Sequence, residues 1–125
     1  MRDFAVQLTH RPGELARVAS VLGRHRVNLK AVAGLAIGTH VTVRLIPDDV
    51  ETARDALQSA NIRFEESEIV PVLLENRAGE LAALSTRLGE GGVNLRAIYL
   101  TGIAGNLVEL AIIADDVKKA KKLLG

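Results

Sequence analysis

The stretch His10-Arg11-Pro12-Gly13-Glu14-Leu15-Ala16 returns 66 residues later as Asn76-Arg77-Ala78-Gly79-Glu80-Leu81-Ala82. At that offset, residues 11–31 and 77–97 agree at 11 of 21 positions, among them Leu22/Leu88, Gly23/Gly89, Val27/Val93, Asn28/Asn94, Leu29/Leu95 and Ala31/Ala97. A repeat of this period means two copies of one supersecondary unit. The function is expected where the copies face each other.

Ahead of the first copy, Phe4, Val6 and Leu8 alternate with Ala5, Gln7 and Thr9. That is the period of a strand with one face inward. Arg11-Pro12-Gly13 breaks it, because Pro12 biases Arg11 toward extended backbone and Gly13 admits a close approach. Leu15, Val18, Ala19 and Leu22 then recur at helical spacing. Gly23 is placed to end that helix beside the basic run Arg24-His25-Arg26. Residues 28–37 read as a strand, Gly38-Thr39 as a hairpin turn, and Val41, Val43 and Leu45 as the returning strand. Asp48-Asp49 opens a second helix, which turns Val50, Ala53 and Leu57 inward. Residues 62–69 read as a fourth strand. The order β-α-β-β-α-β is ferredoxin-like. Right-handed crossovers put both helices on one face of a four-stranded antiparallel sheet.

The second half repeats this order with one loss. Residues 70–74 match the first strand, with Pro71 marking the hand-over from one module to the next. Leu81, Leu84 and Leu88 form a helical stripe ended by Glu90-Gly91-Gly92. Strands follow at 94–103 and 107–113, around Ala104-Gly105-Asn106. Asp115-Asp116 caps a last helix, whose end carries Lys118, Lys119, Lys121 and Lys122. The predicted fold is therefore α+β: two tandem ferredoxin-like modules, 1–69 and 70–125, the second without its last strand. That loss leaves residues 70–74 as an open apolar edge, which invites aggregation. Cover by segment 62–74 or by a second chain is expected, which favours a homodimer.

Composition excludes several classes of function. Sixteen basic and 15 acidic residues give a net charge of +1, so no whole-molecule field draws nucleic acid or an anionic membrane. Phe4, Phe64 and Tyr99 are the only aromatics, too few for a base-stacking platform. The chain has no cysteine, and hence no disulfide, thiolate nucleophile or zinc ribbon. Met1-Arg2-Asp3-Phe4 lacks the apolar run of a signal peptide, and no segment is long and apolar enough to span a bilayer. A cytoplasmic protein is expected.

Catalytic constellations are missing. His10, His25 and His40 have no metal-ligand spacing, and no glycine run is followed by the Lys-Ser or Lys-Thr of a phosphate loop. No catalytic residue, metal or cofactor is expected. Glu65, Glu66 and Glu68 read as a solvated strand face. The doubled strand-glycine-helix turn and the paired asparagines remain. A helix N-terminus offers free amides and positive potential to a carboxylate. Gly13 and Gly79 let a ligand reach that backbone, and the amides of Asn28 and Asn94 supply both donors and acceptors. The alternative is structural: a tight turn, and an asparagine that closes the preceding helix.

The Arg-Pro-Gly-Glu-Leu-Ala turn, followed by a helix and then Val-Asn-Leu opening the next strand, resembles the ACT domain. The resemblance covers essentially the whole chain as two copies. It implies the ferredoxin-like topology, binding of small molecules, most often amino acids, and regulation of an enzyme. It further implies two quasi-equivalent sites. One would join His10, Arg11, Pro12 and Gly13 to Asn94; the other would join Asn76, Arg77, Ala78 and Gly79 to Asn28. The same residues could instead pair between chains. His10 stands where the family usually has Asn or Asp, and Ala78 where it has Pro. Leu8 and Leu74 occupy the positions of a histidine found in serine-binding members, which favours a more apolar ligand, its pocket shaped among Leu8, Leu74, Val32, Ile98 and Tyr99.

The reading is a non-catalytic amino-acid-binding regulatory protein. The alternative is a regulatory subunit that docks on a separate biosynthetic enzyme, such as acetolactate synthase, whose small subunit resembles Gly13-Glu14-Leu15-Ala16-Arg17-Val18-Ala19. An acylphosphatase-type hydrolase is a third possibility, with only Arg11 and Asn28 to support it.

Overall fold

The computed structural model describes residues 1–125. It divides into two compact units, Met1–Ser67 and Glu68–Gly125.

The first unit runs β1 (Arg2–Thr9), α1 (Glu14–Arg24), β2 (Leu29–Ile37), β3 (His40–Pro47), α2 (Val50–Ser59) and β4 (Glu65–Glu68). Its sheet has the order β2-β3-β1-β4. Phe4 lies opposite Leu45, Leu8 opposite Val41, and Val32 opposite Leu45. These residues share the helix-bearing face, where Phe4, Val6, Val18, Leu22, Leu45 and Leu57 form an apolar core. Phe64 stacks on Phe4 with ring centroids 5.1 Å apart. On the other face Asp3 is 0% exposed and accepts a 2.8 Å hydrogen bond from Arg44 Nη1.

The second unit repeats the plan with β5 (Val70–Glu75), α3 (Glu80–Glu90), β6 (Leu95–Ala104), β7 (Leu107–Ala114) and α4 (Val117–Leu124). Its three strands are ordered β5-β7-β6, so nothing of this unit stands where β4 flanks β1. Val70, Leu84, Leu88, Val93, Ile112 and Ala120 make the second core. The ladder β6–β7 differs from β2–β3 by one shift between Leu100 and Gly102, which leaves Thr101 as an extra, bulged residue. Its hydroxyl donates to Glu109 Oε1 at 2.7 Å.

Four expectations need correction. Gly23 does not end α1; it lies inside it. The left-handed residue is Arg26, at φ 58°, with Val27 N–H donating to Leu22 O at 3.0 Å and Arg26 N–H to Gly23 O at 3.0 Å. That is a Schellman closure, and it recurs at Asn61 (φ 57°) and Gly92 (φ 75°) with Ile62 and Val93 as the apolar plugs. Leu15 and Leu81 are not core residues: both are about half exposed, and Val21 completes the buried stripe of α1 instead. The strand expected at 62–69 shortens to Glu65–Glu68, because Ile62 is spent closing α2. Glu66 is no solvated acid. Arg54 grips it through Nε to Oε1 at 2.8 Å and Nη2 to Oε2 at 2.9 Å, and Arg2 Nε reaches Oε2 at 2.8 Å. The clamp ties α2 and β1 to β4. No helix is long and apolar enough to cross a membrane.

Candidate functional site

Each module has two helix starts, and they differ in kind. α2 and α4 begin on Asp49 and Asp116, whose carboxylates accept from the N–H groups of Thr52 at 3.1 Å and Lys119 at 3.0 Å. α1 and α3 begin on Gly13 (φ 89°) and Gly79 (φ 91°), and neither has a side-chain cap. The left-handed backbone is what requires glycine here. A Cβ at either position would meet nothing within 4 Å, so the space in front of both turns is open. The first-turn amides of these two helices lack the carboxylate that the other two helices supply for themselves.

The rest of the motif holds the turn. His10 N–H donates to Thr39 O at 3.2 Å, and Asn76 N–H to Asn106 O at 2.7 Å, which anchors each turn to the neighbouring hairpin. His10 Nδ1 lies 3.2 Å from Gly38 O, a carbonyl that can only accept, so that nitrogen carries the hydrogen. Arg11 Nη2 meets Glu14 at 3.3 Å, and Arg17 Nε meets it at 3.6 Å. Burial alone would raise the Glu14 carboxyl, but the adjacent Arg11 charge and hydrogen bond, with Arg17 behind, hold it below its ordinary value. In the second copy Arg77 bridges Glu75 at 2.8 Å and Glu80 at 3.4 Å. Both motif arginines are thus already paired with acids, and in the first turn of α3 the Glu80 N–H reaches Arg77 O at 3.5 Å.

Residues 10–13 come together at one end of their module and 76–79 at one end of theirs. Asn28 and Asn94 do not join the turn of their own module. β1 ends beside the start of β3, whereas Asn28 precedes β2 next to the end of β3. The length of β2 separates the two, roughly 30 Å at 3.3 Å per residue. Asn28 N–H donates to Asp48 Oδ1 at 3.0 Å, and Asp48 N–H returns to Asn28 O at 2.9 Å. Asn94 and Asp115 repeat this at 3.1 and 3.0 Å. These aspartates, read in the sequence only as helix caps, fix the asparagine backbones and leave both residues exposed.

A cleft of about 370 Å³ opens beside the second turn, bounded by Asn76, Arg77 and Glu80 at one end. Its walls include Leu74, Leu81, Ile98, Leu100, Val108 and Leu110. Ile98 and Leu100 point to the helix-bearing face. Tyr99, expected to shape the pocket with them, alternates to the opposite face while still bordering the opening. Leu100 and Leu110 were not singled out in the sequence; only the β5–β7–β6 register, with Leu100 opposite Leu110 and Leu74 opposite Val108, puts them on one cleft wall with Leu74. No group of three His, Asp or Glu side chains is arranged to hold a metal ion.

No family model matches the chain, and no curated protein sequence does. Solved structures match over nearly its full length. A protein from Bacteroides thetaiotaomicron superposes with a TM-score of 0.86 at 23% identity, covering 98% of this chain and 85% of that one. The ligand-free regulatory subunit of aspartate kinase from Thermus thermophilus gives 0.66 at 15%, covering 98% and 87%. The corresponding subunit from Thermus flavus gives 0.64 at 16%, covering 98% and 88%. The chain shares the fold of these structures, two tandem ferredoxin-like modules. The second module differs from the first by a three-stranded sheet and a bulged hairpin, and Asn76, Arg77 and Glu80 around its glycine turn line the apolar cleft.

Proposed function

We propose that this tandem ACT protein is a non-catalytic regulator that binds an amino acid at its glycine turns. The supporting observation is the contrast within one chain. Two helices cap themselves with aspartate, while the two that follow the repeated motif begin on left-handed glycines facing open space. A ligand carboxylate suits those amides. Asn28 and Asn94 lie at the far end of their own sheets, so neither completes the site at the turn of its own module. Titration calorimetry with the 20 amino acids tests the reading, and heat from none of them would remove it. Gly79→Asp places a charged side chain in the open space and is expected to abolish binding at its turn.

A second reading, a subunit that docks on a separate metabolic enzyme, has its own support. The similar Thermus proteins are described as regulatory subunits. This chain also exposes Leu35 and Ile37 on β2 and Ile103 on β6. Retention of an enzyme on the immobilised protein, with ligand-dependent activity, would support it. A homodimer is the proposed cover for β5, where Leu73 is 64% exposed. A monomeric mass by light scattering at high concentration would count against that.

A further inference from the structure

We propose that the two turns are unequal, and that the second module alone takes an amino acid with an apolar side chain. This rests on the amino-acid-binding reading above and names the ligand class. Beyond the Gly79 turn, the side chains of Leu74, Leu81, Ile98, Leu100, Val108 and Leu110 carry no polar atom. The charged and amide groups of the lining are Glu75, Asn76, Arg77 and Glu80, at the uncapped start of α3; Arg77 pairs with both acids, so this cluster offers donors to a carboxylate and acceptors to an ammonium group. A zwitterion with a hydrocarbon tail matches that polarity end to end. The volume of about 370 Å³ sits at the small-ligand end of protein pockets.

The first module lacks the same wall. The ladders align Leu100 with Gly34, Ile98 with Val32 and Leu110 with Val43. Gly34 is not glycine for want of room: a Cβ there would touch only Val43, at an ordinary 3.8 Å. The strand simply offers no side chain where β6 offers Leu100. Asn76 is likewise replaced by His10, whose ring is turned to Gly38 O.

Each ligand methylene buried in the cleft should tighten binding about four-fold. Leucine, three carbons larger, should therefore bind about 60-fold tighter than alanine, and serine, aspartate and lysine should fall behind the aliphatic residues. The test is calorimetry of the full chain with leucine, isoleucine, valine, methionine, phenylalanine, alanine, serine, aspartate and lysine. One aliphatic ligand per chain is expected. Leu100→Ala, a change at a half-exposed position that should leave folding intact, is expected to weaken leucine about ten-fold while alanine changes little. Preference for a polar amino acid, equal binding of two leucines per chain, or indifference of leucine affinity to Leu100→Ala would overturn this assignment and leave the amino-acid reading standing. Silence with every amino acid would overturn both.

Discussion

Glu66 should make the first module sensitive to acid in a defined window. Its carboxylate is 15% exposed and receives three hydrogen bonds from Arg54 and Arg2. The bidentate Arg54 bond is the largest cause; burial opposes it and Arg2 adds to it, and together they lower the carboxyl from the ordinary 4.5 to about 2. At 1.36 kcal/mol per pH unit, that displacement corresponds to about 3 kcal/mol of stability. The arginines are 39% and 37% exposed, so solvent screening reduces it to about 1–2 kcal/mol. A depressed carboxyl stabilises the folded state fully above the unfolded value of 4.5, and that contribution is lost as pH falls toward 2. Glu66→Gln keeps the shape and removes the charge. Urea denaturation of both proteins at about pH 7, 5, 4, 3 and 2 isolates the effect, because other titrating groups cancel in the difference. The variant should be weaker by about 1–2 kcal/mol at neutral pH, with the gap closing below about pH 4.5. An unchanged gap across the acid range, or none at pH 7, would refute the clamp as a source of stability.

Arg26→Gly should stabilise the first module by about 0.5 kcal/mol, since relief of a left-handed side chain slightly exceeds the added freedom of the unfolded glycine; denaturant midpoints read it directly. Arg44→Met should cost about 2 kcal/mol by removing a charged hydrogen bond to the fully buried Asp3, measurable in the same assay. Asp116→Ala should cost about 1 kcal/mol through loss of the α4 cap, with earlier hydrogen exchange at Lys119. Saturating ligand at a hundredfold excess over Kd should add about 2.7 kcal/mol to stability, an increment absent from Gly79→Asp in thermal melts.

The doubled motif and the apolar periodicity around it specified two modules and their element order, because period-2 and period-3.6 patterns report directly which face of each element is buried. It also marked the turns at Gly13 and Gly79, where a local break in pattern coincides with the one residue free to be left-handed. Sequence spacing could not say that Leu15 and Leu81 would stay half exposed, since a helical stripe looks the same whether its first turn meets the core or overhangs it. Nor could it pair Glu66 with Arg2, 64 residues away, and with Arg54 on α2, which meet it only when β4 docks beside β1 and under α2. The cleft at Asn76 likewise needed the tertiary register: a strand's alternation tells which residues share a face, but the bulge at Thr101 and the pairing of β6 with β7 decide which of them stand together beside an open turn.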